Sequence, residues 1–177
     1  MAQTSPVVPV KLFVVTLHRD PEILGSTISM LLERWGPIDF QSEDFAFDIT
    51  DYYEKEMGSR LLRRFYSFET LIAPDQIVEA KLFCNQCEEH FLIDSRRQIN
   101  LDAGYLDTCK LVLASAKFGG QKIYLREGIY ADMTLVMYKG QWESFSWGFP
   151  DFKSRKYDAV LNKIRNLYKA QIKLSSG

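Results

Sequence analysis

The order of strand and helix signals across residues 10–102 constrains the fold more than any other feature of the sequence. VKLFVVTLH (10–18) is a β-branched apolar run of the kind found in buried strands. Asp20-Pro21-Glu22 then starts a helix, which we expect to end near Trp35 because Gly36-Pro37 follows. The remaining signals predict strands at 38–48 and 59–72, a loop or helical turn at 51–58, a helix from Pro74 to about Leu92, and a short strand at 97–102.

This order predicts an α+β fold with a ferredoxin-like split βαβ core over residues 10–102, in which helices cover one face of an antiparallel sheet. Residues 103–173 are expected to add a helix, a β-meander within 118–149, and a closing helix from about 155 to 173. The added helix is predicted to start at Asp102 or Gly104. Its shared face would comprise Leu106, Cys109, Val112, Leu113 and Ala116.

Composition bounds the class of protein. A chain of 177 residues with 46% hydrophobic and 25% charged residues is expected to form a single domain, 1–177, around one core. The 22 basic and 23 acidic side chains give a net charge of −1, which argues against a nucleic-acid partner. The N-terminus does not resemble a signal peptide, and no apolar run approaches the roughly 18 residues of a membrane span. We therefore expect a cytoplasmic protein with no membrane partner.

The segment FCNQCEEHF (83–91) contains a Cys-x-x-Cys pair and a histidine. A redox pair needs its first cysteine at a helix N-terminus, and a zinc site needs four ligands, usually with a second Cys or His pair that this chain lacks. Core packing is the leading interpretation, with redox and metal roles as alternatives. It depends on one apolar stripe at steps of three and four, formed by Ile77, Ala80, Cys84, Cys87 and Phe91.

Two acidic or amide-containing segments carry candidate ligand-binding groups. In FDITDYYEKEMG (47–58), Asp51, Tyr52 and Glu56 could bind a hard cation or act in acid–base chemistry, although acidic loops more often serve solubility. In NLDAGY (100–105), polar groups fall where a predicted strand becomes a helix, a position suited to anions. The candidates there are Asn100, Asp102 and Tyr105. The alternative is that the aspartate only caps the helix and the tyrosine packs.

A third segment, SAKFGGQK (115–122), places Lys117 and Lys122 on either side of a Gly-Gly turn that could hold phosphate. It lacks the residue order of a nucleotide-binding P-loop, so an ordinary loop is the alternative. Asp132 falls at the end of a predicted element in the same half of the chain.

Seven motifs together resemble a bacterial family known as domain of unknown function 4416: FDITDYYEKEMG, FETLI, FCNQCEE, INLDAGYL, KLVLASAK, IYLREGIYADMTL and WGFPDF. The likeness extends from about Val10 to Lys169 and implies no particular reaction. It also implies a histidine at Gln121, so this chain lacks that imidazole for proton transfer. The polar residues that it assigns to the shared pattern are Asp51, Tyr52, Tyr53, Glu56, Glu69, Asn85, Glu88, Asn100, Asp102, Gly104, Tyr105, Lys117, Tyr130, Trp147 and Asp151. Of these, Asn85, Glu88 and Tyr130 are further ligand-binding candidates.

The leading hypothesis is a polar pocket between the ferredoxin-like sheet and the C-terminal meander that binds a phosphorylated metabolite or nucleotide, with acids holding Mg²⁺ and lysines holding phosphate. Catalysis stays open, and no residue is assigned as catalytic or as a metal ligand. The competing hypothesis is a homodimeric interaction module, and RNA binding by an open sheet face is a third. The homodimer would use exposed aromatic residues, namely Tyr52, Tyr53, Trp142 and Phe149.

Overall fold

The structure, a computed structural model, describes residues 1–175, which form an antiparallel sheet of nine strands and five helices. Strands β1 to β9 span Val10–His18, Ile38–Gln41, Phe45–Ala46, Leu62–Ile72, Ile99–Leu106, Lys110–Ser115, Ile123–Arg126, Ile129–Tyr138 and Gln141–Ser144. Helices α1 to α5 span Pro21–Trp35, Glu54–Met57, Ile77–His90, Pro150–Lys153 and Asp158–Ser175. The protein therefore has an α+β fold, as the sequence predicts.

The strand order is β2-β4-β1-β5-β6-β8-β7, with β3 also paired to β4 and β9 to β8. Strand β1 lies inside the sheet, antiparallel to β4 on one side and to β5 on the other. All nine residues of β1 are buried, because helices cover both faces of the sheet around it. Double-sided burial explains why this strand is mostly apolar, without the regular alternation of apolar and polar residues found in half-exposed strands.

The two faces of the sheet have separate cores. On one face, Leu12 and Val14 pack with apolar side chains of α1 and α3. On the other, Phe13 and Val15 pack with Leu161 and other side chains of α4 and α5. Successive strand residues point to opposite faces, so one strand contributes to both cores.

Helices α1 and α3 lie where the sequence predicts them. The carboxylate of Asp20 accepts hydrogen bonds from the backbone N–H groups of Glu22 and Ile23, which caps α1, and Gly36 ends the helix with φ at 82°. Both cysteines of the Cys-x-x-Cys pair are buried in the core beneath α3, and burial raises the pKa of each thiol. The core interpretation of Cys84 and Cys87 is therefore confirmed.

The helix predicted from Asp102 or Gly104 is wrong, because β5 continues to Leu106 and a tight turn leads into β6. Asp107 Oδ1 accepts hydrogen bonds from the N–H groups of Cys109 and Lys110, which stabilises the turn. Strand β6 is a short apolar run buried on both faces, and a run of this kind resembles a helical stripe. Cys109 is exposed in the turn rather than buried in the core.

Other boundaries differ in smaller ways. The strand predicted at 38–48 is divided into β2 and β3, and α5 begins at Asp158 after the short helix α4. The three-stranded meander is confirmed as β7, β8 and β9. Within residues 1–175, no helix is long and apolar enough to cross a membrane.

The close approach of β1, β5 and β6 requires glycine at position 104. A Cβ added there would lie 2.6 Å from the ring of Phe13 and 2.7 Å from the carbonyl oxygen of Val112, whereas one added at Gly25, inside α1, would have nothing within 4 Å. Gly104→Ala is therefore expected to lower the free energy of unfolding by about 1–3 kcal/mol. Gly25→Ala should raise it by about 0.5–1 kcal/mol. Urea denaturation distinguishes them, and similar effects from both variants would contradict this packing.

Candidate functional site

Strands β5 and β6 pair near their shared turn and then separate. Their pairing covers Gly104 to Leu106 against Leu111 to Leu113, so the first half of β5 has a free edge among the described residues. Side chains of α3 form hydrogen bonds with backbone groups that have no strand partner at that edge. The N–H of Leu101 donates to Glu88 Oε1 at 2.7 Å, and the Leu101 carbonyl accepts from Lys81 Nζ at 2.8 Å. A cleft therefore opens through the sheet between the two strands.

This cleft forms a cavity of about 470 Å³. Its walls come from β4, β5, β6, β8, α3, α4 and the segment that precedes α2, together with the loop after β6. Most of the ligand-binding candidates line it: Tyr52, Asn85, Glu88, Asn100, Asp102, Lys117, Lys122 and Asp132. Residues that are distant along the chain thus meet in one hollow, which lies between the strands of the first half of the chain and the meander.

Four candidates do not line the cavity. Glu56 contacts its wall indirectly, through Arg97. Asp51 lines a different surface hollow. Tyr105 is buried in the core, since β5 continues as a strand where a helix N-terminus is predicted. Tyr130 packs edge-to-face against Tyr124 of the neighbouring strand β7, outside the cavity.

The sequence did not point to three charged residues of the cavity, Arg63, Lys81 and Arg97, and Asp151 entered only as part of the shared family pattern. Lys81 precedes Asn85 and Glu88 by steps of four and seven on α3, so a polar stripe beside the cysteine stripe is a signal that could have found it. Both arginines belong to doublets, Arg63-Arg64 and Arg96-Arg97, and such doublets usually lie on solvated surface. Arg63 and Arg64 point to opposite faces of β4, and Arg63 is buried because its face is covered by α4.

Most charges in the cavity are paired. Arg63 forms an ion pair with buried Asp151, lies 3.8 Å from Asp102, and stacks over the ring of Phe47 at 4.5 Å. Lys122 Nζ lies 3.5 Å from Asp132 and donates to a serine hydroxyl at 2.8 Å. These contacts neutralise charge where little water reaches it.

Arg97 connects α2 with two walls of the cavity, α3 and β5. Its guanidinium donates to both carboxylate oxygens of Glu56 at 2.7 and 2.6 Å, to Glu88 at 3.3 Å and to Asn100 Oδ1 at 2.8 Å. Burial raises the pKa of Glu88, against the opposing effect of Lys81 and Arg97. This network holds α2, α3 and β5 in one arrangement.

Lys117 differs from the other cations because it forms no ion pair within residues 1–175. Its Nζ donates to the hydroxyl of Tyr52 at 2.9 Å, across the mouth of the cavity. The hydrogen bond from Lys117, together with its charge, holds the pKa of Tyr52 below its usual range. The adjacent Tyr53 behaves in the opposite way, because burial raises its pKa to about 12.

The opposite pKa shifts of Tyr52 and Tyr53 predict different titrations for the two side chains. Absorbance at phenolate wavelengths is titrated for the wild-type protein and for Tyr52→Phe, and the difference between the two curves reports Tyr52. This phenol should ionise below the usual tyrosine pKa of about 10. Lys117→Met should return that ionisation to the usual range, because the cation that favours the phenolate is gone. The corresponding difference between the wild-type protein and Tyr53→Phe reports Tyr53, which should titrate near pH 12. Indistinguishable titrations for the two tyrosines would contradict the contact with Lys117.

The carboxylates of the cavity do not form a metal centre on their own. Nowhere in residues 1–175 do three His, Cys, Asp or Glu side chains come together in a way that could hold a metal ion. Asp102 and Asp132 each face a basic side chain instead. The arrangement is suited to binding an anion through hydrogen bonds and charge.

The fold and the cavity define an α+β protein with a polar, aromatic-walled cleft in an antiparallel sheet. The family model for a domain of unknown function, DUF4416, matches residues 8–168, and the chain belongs to this family. No curated protein and no solved structure matches the chain.

Proposed function

We propose that the cavity binds a small phosphorylated molecule, such as a sugar phosphate or a nucleotide, with its phosphate at Lys117. The observation that carries the proposal is the exposed ammonium group of Lys117 at the mouth, which has a neutral hydroxyl but no carboxylate as its partner. Lys122 and the hydroxyl of Ser115 lie beside it. Charge-assisted hydrogen bonds from such groups are among the stronger contacts to phosphate oxygens.

The charge balance of the walls supports an anionic ligand. One more basic than acidic side chain lines the cavity: Arg63, Lys81, Arg97, Lys117 and Lys122 against Glu88, Asp102, Asp132 and Asp151. The acids are engaged with cations other than Lys117. A phosphate at Lys117 would therefore give this ammonium group an ion-pair partner without breaking an existing ion pair.

Size and wall chemistry support a ligand larger than phosphate itself. A volume of about 470 Å³ falls within the usual range for small-molecule sites. Aromatic side chains form part of the wall, and Phe149 is exposed at 44%. Such rings can pack against a sugar or a planar base. A divalent cation would enter with the phosphate, because the acids alone do not make a metal site.

A thermal-shift screen tests the proposal directly. Nucleotides and sugar phosphates, each with Mg²⁺ or with EDTA, should include a compound that raises the Tm of the wild-type protein. Lys117→Met should weaken binding of that compound about 10-fold or more, since a charge-assisted hydrogen bond is lost. Lys163→Met, on the exposed face of α5, is the matched control and should bind normally. The proposal fails if no compound raises the Tm, or if Lys117→Met binds like the control.

We further infer that residues 10–106 form a ferredoxin-like core. The strand order β2-β4-β1-β5, all antiparallel, and the packing of α1 and α3 on one face support this assignment. An experimental structure with these helices on opposite faces would contradict it. A cytoplasmic location stays part of the proposal, supported by three unpaired cysteines.

A homodimer is the second candidate, although on a different surface from the one predicted. Trp142, one of the aromatic residues assigned to that surface, is only 3% exposed, because it packs in the α5-side core. The outer edge of β7 instead has no strand partner within residues 1–175, and Phe118, Ile123 and Tyr124 are exposed nearby. Light scattering that shows a strict monomer would contradict it. RNA binding by an open sheet face has less support, since helices cover both faces around β1.

A further inference from the structure

The carboxamide of Asn100 has one definite orientation in the cavity. Arg97 Nη1 lies 2.8 Å from Asn100 Oδ1. A guanidinium can only donate hydrogen bonds, so the asparagine atom that faces it has to be the oxygen. The amide nitrogen, Nδ2, consequently points away from Arg97.

Arg97 cannot easily turn to change this orientation. Both oxygens of Glu56 accept hydrogen bonds from its guanidinium, and Glu88 accepts another. The arginine is therefore held from α2 and α3 while it binds the asparagine on β5. Bidentate pairs of this kind restrict both position and angle.

Asn100 Nδ2 is a buried donor without an acceptor. Asn100 lines the cavity at 4% exposure, and its Nδ2 has no hydrogen-bond partner within residues 1–175. Arg63 Nε is a second buried nitrogen in the cavity wall with no acceptor in the same part of the chain. Both residues lie opposite Leu17 in the strand register, one on each side of β1. Buried donors in native proteins are nearly always paired, so these positions suit acceptor atoms of a ligand.

We propose that Asn100 Nδ2 donates a hydrogen bond to a hydroxyl or carbonyl oxygen in the body of the ligand, with Arg97 as the positioning residue. This inference rests on the proposed function, in which Lys117 holds the phosphate. The cavity then selects a phosphate ester whose non-phosphate part carries an acceptor oxygen, over inorganic phosphate. Lys117 supplies the charge contact, and Asn100 supplies selectivity for the ester.

Isothermal titration calorimetry with two probes separates these roles. Ribose 5-phosphate has acceptor oxygens outside its phosphate group, whereas inorganic phosphate has none. The wild-type protein should bind the ester more tightly. Asn100→Leu removes the donor and should weaken ester binding about 3- to 10-fold while leaving phosphate binding unchanged. Lys117→Met should weaken both probes together.

Asn100→Asp is the second variant, because its carboxylate still accepts from Arg97 and so preserves the packing. The added negative charge weakens binding of both probes. The deciding quantity is therefore the affinity for the ester divided by the affinity for inorganic phosphate, which should fall as it does in Asn100→Leu. An unchanged ratio in both variants would overturn the role of Asn100 and leave the proposed function standing. If neither probe binds the wild-type protein while a nucleotide or another sugar phosphate raises its Tm, this inference fails and the proposed function stands.

Discussion

Arg63→Met is expected to lower the free energy of unfolding by about 3–5 kcal/mol, because it leaves a buried carboxylate without its cation. Asp151 is only 3% exposed, and its ion-pair partner is Arg63. The same change removes the guanidinium that stacks over Phe47. Urea denaturation at neutral pH measures the loss, which should appear as a lower midpoint with a similar slope.

Two controls isolate the buried charge. Arg64→Met changes the next residue on β4, which points to the opposite face and pairs with exposed Asp44. It should cost no more than about 1 kcal/mol. The double variant Arg63→Met/Asp151→Leu removes both charges and should recover much of the stability lost in the single variant. Equal losses for Arg63→Met and Arg64→Met would show that Asp151 does not depend on this arginine.

Glu88→Ala is expected to lower the free energy of unfolding by about 3 kcal/mol. Its carboxylate accepts the N–H of Leu101 on the free edge of β5 and balances the charges of Lys81 and Arg97. Loss of this acceptor leaves a buried backbone donor unpaired. Glu88→Gln keeps an acceptor oxygen and should therefore cost less.

The neighbouring residue Glu89 provides the matched control for Glu88. It is exposed on the same helix, so Glu89→Ala should change stability by less than about 0.5 kcal/mol. Amide hydrogen exchange adds a local measurement, since the N–H of Leu101 should lose protection in Glu88→Ala. Unchanged protection of that amide would mean that α3 does not close the free edge of β5.

Helices and strands that have local sequence signals, such as a cap, a stop or an apolar stripe, were predictable from the sequence. Helix α1 has an aspartate cap and a Gly-Pro stop, and α3 shows its buried stripe in the spacing of Ala80, Cys84 and Cys87. Strand β1 is apolar without alternation, which is typical of burial on both faces. Each of these signals lies within about 15 residues, so no knowledge of distant partners is needed.

The β5–β6 hairpin was not predictable in the same way. Residues 106–116 place apolar side chains at helical spacing, and β6 is also buried on both faces, so periodicity does not separate a helix from a strand there. The deciding interactions are pairings with β1 and β8, which are distant along the chain. Tertiary pairing therefore overrides the local pattern.

The candidate site was predictable as a set of polar residues but not as a geometry. Tyr52 and Lys117 are 65 residues apart and meet only because β5 and β6 separate and the segment before α2 crosses the gap. Arg63 was missed because an arginine doublet is usually solvated, whereas here one of its members lies under α4. Which member of a doublet is buried depends on the register of the strand.

The most direct test of the binding site is a ¹H–¹⁵N NMR titration of the wild-type protein with ribose 5-phosphate. The account predicts saturable shifts in the backbone amides from Ser115 to Lys117 and in the side-chain amide of Asn100, with the exposed turn at Cys109 unchanged. Saturable shifts confined to other surfaces would contradict the claim that the cleft between β5 and β6 binds a phosphorylated molecule, and no shifts at millimolar ligand would contradict binding of this sugar phosphate.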